Sequence, residues 1–193
     1  MWHDVPSTRR DLLIVNVHER KLPASPEQVG ALIDRFFTAD DRLWPADRWP
    51  MRRSGELRVG AVCHHDFVRY TVTEYEPGQR LWFTFTEIDV TGGHGFDVLA
   101  EDGATRLRHT LREHPHRSMR IMWPLLVRPI HDALLEDLLD NAERELTGTV
   151  ASPHRYSTWI RVLRAVRSRD SRAPAATAGA AGDPPPQGAP GGP

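Results

Sequence analysis

The chain has 193 residues, with 25 Lys and Arg against 26 Asp and Glu, so its formal net charge is −1. This balance excludes a protein that binds nucleic acid through bulk positive charge. The single cysteine, Cys63, excludes an internal disulfide and a metal site built from several thiolates. No apolar run approaches the roughly 18–20 residues of a membrane-spanning helix. The first residues also lack the order of a secretory signal, and we expect a cytoplasmic protein.

The composition divides the chain into a domain over residues 1–150, a helical extension over 151–172 and a tail over 173–193. The tail has no aromatic or large aliphatic residue and is predicted to be disordered. Between Arg155 and Arg172, six arginines and one aspartate alternate with apolar residues at helical spacing. This pattern predicts a basic amphipathic helix. Such a helix either packs back on the domain or makes peripheral contact with an anionic membrane or an acidic partner.

The first predicted elements are a strand and a helix. Leu12–Leu22 mixes apolar and polar residues and is predicted to be a strand. Ser25 and Gln28 have the spacing of a capping box, and Pro26 suits the first position of a helix. Asp40–Leu43 is a candidate for a second short helix. The apolar face of the first helix is predicted at Val29, Leu32, Ile33, Phe36 and Phe37.

Alternation of apolar and polar residues predicts several strands in the middle of the chain. The segments that separate them, such as Glu76–Gln79 and Glu101–Gly103, are short and turn-like, and Thr91–His94 is also predicted to be a turn. Short connections make neighbouring strands antiparallel, because a parallel connection needs a dozen or more residues. The predicted strands are Val59–His65, Phe67–Tyr75, Arg80–Glu87, Gly95–Ala100 and Thr105–Glu113.

Ser118–Thr147 is predicted to be one long helix that ends at Gly148. Pro124 and Pro129 lack N–H donors, so its first turns are predicted to be kinked or irregular. Four carboxylates are predicted to lie on the exposed side of this helix, at Asp132, Glu136, Asp140 and Glu143.

An antiparallel sheet with one apolar face must be covered, and the long helix is the only predicted element that is long enough to cover it. We therefore predict an α+β fold in which a curved sheet wraps around the C-terminal helix. A gap between such a sheet and helix is a place for a small apolar ligand.

The element order resembles the helix-grip fold of the START-like (SRPBCC) superfamily, which includes polyketide cyclases/aromatases, lipid-transfer domains and pollen-allergen-like proteins. Local resemblance lies in Leu22–Val29, which enters the first helix, and in Val72–Leu81, which crosses a hairpin. Arg128–Leu139 is similar to a subgroup of uncharacterised bacterial members. The resemblance implies a cavity between sheet and helix. It does not imply one activity, because the superfamily includes enzymes, carriers and ligand sensors.

Alternate strand positions share a face, so the residues that line this cavity are predictable. His109 is predicted to point inward between Leu107 and Leu111. The predicted ligand-binding residues are Val68, Tyr70, Val72, Leu81, Phe83, Phe85, Leu107, His109, Leu111, Met122, Trp123, Leu126 and Ile130.

His109 and Tyr70 are the candidate catalytic residues. An imidazole acts as a general base or bonds a ligand carbonyl near neutral pH, and a phenol donates to the same oxygen. The alternative is a core histidine and tyrosine that bond each other, the backbone or water.

Metal and cofactor signals are weak. His64 and His65 are neighbours on a predicted strand and point to opposite faces, whereas His114 and His116 flank a predicted solvated turn. Gly92–Gly95 is too short for a phosphate-binding loop and precedes a strand. We therefore expect no metal and no cofactor.

Three functions follow from the sequence. The first is binding or carriage of a small hydrophobic or amphipathic ligand, without obligate chemistry. The second is a polyketide cyclase/aromatase type of enzyme that uses His109 and Tyr70, in which confinement of the substrate supplies much of the catalysis. The third is a protein recruited to a membrane or a partner through Arg155–Arg172.

Overall fold

A computed structural model describes residues 12–49, 56–65, 68–86, 90–116 and 118–170. The predicted tail at 173–193 and the predicted strand ends at Phe67 and Glu87 lie outside these residues. The elements in chain order are β1 (Ile14–Leu22), α1 (Pro26–Asp34), β2 (Val62–His65), β3 (Val68–Glu76), β4 (Arg80–Thr86), β5 (Val90–Glu101), β6 (Ala104–Pro115), α2 (Met119–Met122), a π-helical segment (Trp123–Val127), α3 (Arg128–Thr147) and α4 (Thr158–Asp170).

The strands form one antiparallel sheet in the order β1-β6-β5-β4-β3-β2. The first strand therefore pairs with the last, with His18 opposite His109. The long helix that starts at α2 covers one face of this sheet, and α1 packs beside it. The predicted α+β helix-grip architecture is confirmed.

Local sequence signals explain α1 and the segment after it. The Ser25 hydroxyl accepts from the Gln28 N–H, and the Gln28 side chain accepts from the Ser25 N–H, which confirms the capping box. The predicted second helix at Asp40–Leu43 is wrong, because this segment lies in turns and irregular backbone. There the Asp41 carboxylate accepts from the N–H groups of Leu43 and Trp44 and so replaces helical hydrogen bonds.

The predicted turn at Thr91–His94 is also wrong, because these residues belong to β5. Their glycines mark a close approach of the chain and not a turn. A Cβ atom at Gly93 would lie 2.2 Å from the Phe83 carbonyl oxygen and 2.9 Å from the Trp82 indole nitrogen. Glycine is thus required where Trp82 of β4 lies across β5.

The first turns of the long helix are irregular, as the positions of its two prolines indicate. The π-helical segment Trp123–Val127 contains Pro124, and the Arg128 N–H donates to the Trp123 carbonyl at its end. Pro129 follows in the first turn of α3. Gly148 ends α3 with φ +78°, which confirms the predicted stop.

The predicted exposure of the helix carboxylates is wrong. Strand β1 directs His18 and Arg20 at α3, and their cations attract the carboxylates of the helix inward. Arg20 donates to Asp140 at 2.6 Å, to Glu143 at 2.8 Å and to Glu136 at 3.2 Å. Asp140 is only 5% exposed as a result.

The main core fills the space between sheet, α1 and α3, and a smaller cluster lies under α4. Ile160 of α4 is buried against Trp49, Ala133 and Leu134. Peripheral membrane contact through Arg155–Arg172 stays a prediction, and the helical part of this segment is α4. Within the described residues, no helix combines the length and apolar character needed to cross a membrane.

Candidate functional site

Four histidines from four elements meet between the sheet and the long helix. The His94 Nδ1 and His109 Nε2 atoms are 3.0 Å apart and share a hydrogen bond. The ring centroids of His109 and His131 are 5.3 Å apart, and those of His18 and His131 are 6.2 Å apart. The cluster therefore joins β5, β6, α3 and β1 in one continuous row.

His109 is 1% exposed and faces inward, as its strand position predicts. Burial, reinforced by His94 and the two other histidines of the row, lowers the pKa of His109 well below 6.5. The ring is therefore neutral at neutral pH. Its Nδ1 atom has no hydrogen-bond partner among the described residues.

His18, unlike His109, is positively charged at neutral pH, because two carboxylates bind its ring. Its Nε2 lies 3.0 Å from Asp132 Oδ1, and its Nδ1 lies 2.8 Å from Glu136 Oε1. Burial alone would lower the pKa of His18, but these hydrogen bonds outweigh it and raise the pKa to about 9. Both ring nitrogens therefore carry protons and donate to α3.

Two further polar groups lie on the same inner face as His109. Asn16 of β1 donates from Nδ2 to Asp132 at 3.0 Å, and its Oδ1 is buried with no partner among the described residues. Glu113 of β6 is 3% exposed, and its Oε1 also has no partner there. Burial raises the pKa of Glu113 to about 7. Three buried polar atoms at this end of the face therefore lack a described partner.

Tyr70 is fully buried, and burial, with Cys63 nearby, raises the pKa of its phenol well above 10. Its ring centroid is 5.1 Å from that of His94. His94 therefore lies between Tyr70 and His109, and the two candidate catalytic residues are linked through it.

The sequence matches no protein-family model and no curated protein. Among solved structures, truncated norcoclaurine synthase from Thalictrum flavum is similar with a TM-score of 0.54 and 13% identity, over 70% of this chain and 94% of that chain. A conserved protein of unknown function from Enterococcus faecalis, EF2215, is similar with a TM-score of 0.51 and 17% identity, over 82% of this chain and 85% of that one.

The chain has a helix-grip fold. At these identities the likeness concerns the fold alone, and it confirms the predicted resemblance at that level. This fold places an inner sheet face against a long helix, which is where the histidine row lies.

The sheet supplies most of the predicted lining residues, and these residues are packed in the core. Val68 and Phe85 are partly buried and pack against the same cluster. Leu111 is buried on the inner face beside His109. The predicted residues that belong to the buried main core are Tyr70, Val72, Leu81, Phe83 and Leu107.

The helix residues predicted to line the cavity separate into two groups. Trp123 is buried, and its ring centroid lies 6.1 Å from that of His131, so it joins the site. Leu126 is half-buried. Met122 is 39% exposed, and Ile130 packs with the cluster under α4. The π-helical segment changes the rotation of the helix, and a prediction from regular helical spacing cannot include this change.

A polar cavity of about 280 Å³ lies on the outer face of the sheet, away from the histidine row. Trp82 and Arg80 stack there, with the guanidinium carbon 5.1 Å from the ring centroid. This cavity is distinct from the predicted one. Its lining residues are Glu74, Arg80, Trp82, Asp97, Thr110 and Arg112.

Metal-ligating side chains come together at a place that the sequence did not indicate. Three residues, His18, His131 and Asp132, each offer one ligand atom, and these three atoms lie within 4.8 Å of one another. The predicted solvated turn at His114–His116 is wrong for His114 and Pro115, which belong to β6. The side chains of His64 and His65 are outside the described part of the chain.

Several site residues were not predicted from the sequence. Glu113 has the same strand parity as His109, so alternation alone is a sufficient signal for it. The glycines beside His94 indicate a turn and so conceal its place on a strand. His18, Asn16 and His131 gave no local signal, because their proximity depends on the pairing of β1 with β6 and on the docking of α3.

Proposed function

We propose that the protein binds a small amphipathic molecule at the polar end of the inner sheet face, beside the histidine row. The observation that carries this proposal is the set of three buried polar atoms without a described partner, on Asn16, His109 and Glu113. Buried polar atoms in folded proteins are nearly always hydrogen-bonded, to protein or to another molecule. A ligand with hydrogen-bonding groups satisfies them.

The three residues share one face of the paired strands β1 and β6. Asn16 is paired with Leu111, and Glu113 is paired with Ile14, so Asn16 and Glu113 are diagonal neighbours on one face. His109 is two positions from Leu111 on the same face. Asn16 is therefore a diagonal neighbour of both Glu113 and His109, whereas Glu113 and His109 are about 13 Å apart along β6. One polar group reaches Asn16 and Glu113, and His109 bonds a second one.

The chemistry of Asn16 and Glu113 specifies the polar group that binds between them. Asn16 Oδ1 is an amide oxygen and therefore accepts, while the Nδ2 of the same amide donates to Asp132. The Glu113 carboxyl, with a pKa of about 7, carries a proton for much of the time at neutral pH and then donates. A hydroxyl or phenol both donates and accepts, and so suits this pair.

The surrounding side chains favour an apolar body for the ligand. His94 is stacked between Phe83 and Phe85, with centroid distances of 5.2 Å to each. Trp123 closes the helix side beside His131. Aromatic and apolar walls with a few polar groups are typical of small-molecule sites.

The segment formed by α2 and the π-helical turn is the expected entrance. Ile121 is 68% exposed and Leu125 is 62% exposed, although both are large apolar residues. The helix here has irregular hydrogen bonds, which stabilise it less than a regular α-helix. We expect this segment to move outward when a ligand enters.

Ligand binding is tested by displacement of a fluorescent apolar dye from the full-length protein, with native mass spectrometry to identify co-purified molecules. We expect a hydroxylated aromatic compound to bind at least tenfold more tightly than its deoxy analogue. Asn16→Ala and Glu113→Ala should reduce this preference, whereas His116→Ala, at an exposed position, should not. Equal affinities for the two compounds in the wild-type protein would refute the proposal.

A second candidate is an acid–base enzyme of the polyketide cyclase/aromatase type, favoured by the His94–His109 hydrogen bond beside Tyr70. His109 is neutral and serves as a base, and the protonated phenol of Tyr70 serves as a donor. In this case His109→Ala abolishes turnover of an aromatic polyketide precursor and shifts the melting temperature by only a few degrees. A large loss of stability with no turnover in the wild-type protein favours the structural role.

A further inference from the structure

We propose that His18, His131 and Asp132 form a binding site for one divalent transition-metal ion of the Zn²⁺ type, at the contact of β1 with α3. This site goes beyond the proposed ligand function, which does not require it. Asp132 and His131 are adjacent on α3, and His18 reaches them from the inner face of β1.

The separations of the ligand atoms suit a small metal ion. Asp132 Oδ1 lies 3.0 Å from His18 Nε2 and 4.0 Å from His131 Nδ1. All three ligand atoms lie within 4.8 Å of one another. Zinc binds nitrogen and oxygen at roughly 2.0–2.2 Å in a tetrahedron, which places neighbouring ligand atoms about 3.3 Å apart. Small side-chain rotations therefore complete the geometry.

The surrounding residues already provide the outer shell of a metal site. The Nδ1 of His18 bonds Glu136 at 2.8 Å, which directs Nε2 toward Asp132. Metal-bound histidines typically have a carboxylate on the other ring nitrogen, and it fixes the tautomer and the ring orientation. Asn16 donates to Asp132, and Arg20 donates to Glu136, so both carboxylates are held in place.

The donor set selects the class of ion. Two imidazoles and one carboxylate suit zinc and its first-row neighbours, whereas magnesium and calcium prefer oxygen ligands alone. The side chains of His18 and Asp132 are 13% and 33% exposed, so an ion can enter from solvent. In the metal-free protein a proton bridges His18 Nε2 and Asp132 Oδ1, and the ion would replace this proton.

The experiment titrates Zn²⁺ into the full-length, tag-free protein after treatment with a chelator. Isothermal calorimetry is combined with competition against a zinc-sensitive dye. We expect one ion per chain, and at least a tenfold loss of affinity in Asp132→Asn and in His131→Gln. The outer-shell variant Glu136→Gln should also weaken binding, by roughly 10–100-fold. His116→Ala removes an exposed histidine away from the cluster and should leave the affinity unchanged.

Zinc-edge X-ray absorption of the wild-type complex keeps the test valid if a variant fails to fold. Two imidazole ligands support the site, and fewer than two overturn it. Absence of one-to-one binding by the wild-type chain, or equal affinity in folded Asp132→Asn and His131→Gln, also overturns it. Ligand displacement by the Glu113→Ala protein is a separate measurement, so failure of the metal site and failure of the ligand site are distinguishable.

Discussion

Glu113 is a buried carboxyl group whose titration should appear in the stability of the protein. Burial raises its pKa from 4.5 to about 7 in the folded chain. Because the folded state retains a proton that the unfolded state releases, the free energy of unfolding falls as the pH rises between these two values. We expect Glu113→Gln to be more stable than the wild type at pH 8 and about as stable at pH 4.

Urea denaturation of both proteins at the two pH values measures this difference. Asp102→Asn, at an exposed position in the β5–β6 turn, is the matched control and should show no such dependence. A Glu113→Gln protein that is no more stable than the wild type at pH 8 would contradict the assignment.

Single residues show how far the sequence could predict the site. Alternation along β6 correctly placed His109 on the inner face. The partners of His109 were not predictable, because the glycines around His94 indicate a turn and His131 belongs to a distant helix. Strand parity specifies a face, whereas the contacts on that face depend on which strands and helices meet there.

The contact between β1 and α3 makes the stability of the protein depend on pH. His18 has a pKa of about 9 in the folded state, above the ordinary 6.5, because Asp132 and Glu136 outweigh its burial. The stabilisation is therefore complete below pH 6.5 and is lost as the pH rises to about 9. We expect the urea concentration at the denaturation midpoint of the wild-type protein to decrease as the pH is raised from 7.5 to 9.5.

His18→Gln isolates this effect, because glutamine keeps hydrogen-bonding groups but does not titrate. Its midpoint should be lower than that of the wild type at pH 7 and nearly flat across the same range. Glu113 contributes little here, since its own transition is largely complete near pH 7. A wild-type midpoint that does not change between pH 7.5 and 9.5 would contradict the charge assigned to His18.

The contact of α1 with the β3–β4 turn depends on Gly30. A Cβ atom there would lie 2.4 Å from the Gly78 carbonyl oxygen and 2.6 Å from its Cα, both of them backbone atoms. Asp34 fixes the same contact by accepting from the Gly78 N–H at 2.8 Å. We expect Gly30→Ala to lose about 1–3 kcal/mol of stability through overpacking, although alanine is the better helix former.

Thermal and urea denaturation measure the effect of Gly30→Ala. Ala31→Gly, one position along the same helix, is the control and should lose about 1 kcal/mol from helix propensity alone. If Gly30→Ala instead stabilises the protein, as propensity predicts, then α1 is not tightly seated on the turn.

At the scale of elements, the capping box and the helix stop were predictable because their signals are local. The inward position of the α3 carboxylates was not predictable, since residue type alone favours solvent exposure for a charged side chain. Their partners on β1 are more than a hundred positions away, at His18 and Arg20. The pairing of β1 with β6 brings these cations to the helix.

The whole molecule includes α4, which is attached to the domain through Asp137 of α3. This carboxylate is 1% exposed and accepts from Arg48 at 2.8 Å, from the Trp49 indole at 2.9 Å and from the Tyr156 hydroxyl. Arg164 of α4 also lies over the Trp49 ring, at 4.6 Å from its centroid. A boundary drawn at residue 150 therefore cuts through a packed contact.

Loss of the Asp137 carboxylate should release α4 from the fold. Asp137→Ala leaves the Trp49 and Tyr156 donors without their acceptor, and we expect a loss of about 3 kcal/mol, as for other broken buried charge pairs. The detached helix should then become accessible to protease. Trypsin should cleave at Arg155 and Arg161 at least ten times faster than in the wild type. The control variant Glu145→Ala, at an exposed position of α3, should keep the wild-type rate. Unchanged cleavage in Asp137→Ala would mean that Ile160 and its apolar neighbours hold α4 without the carboxylate.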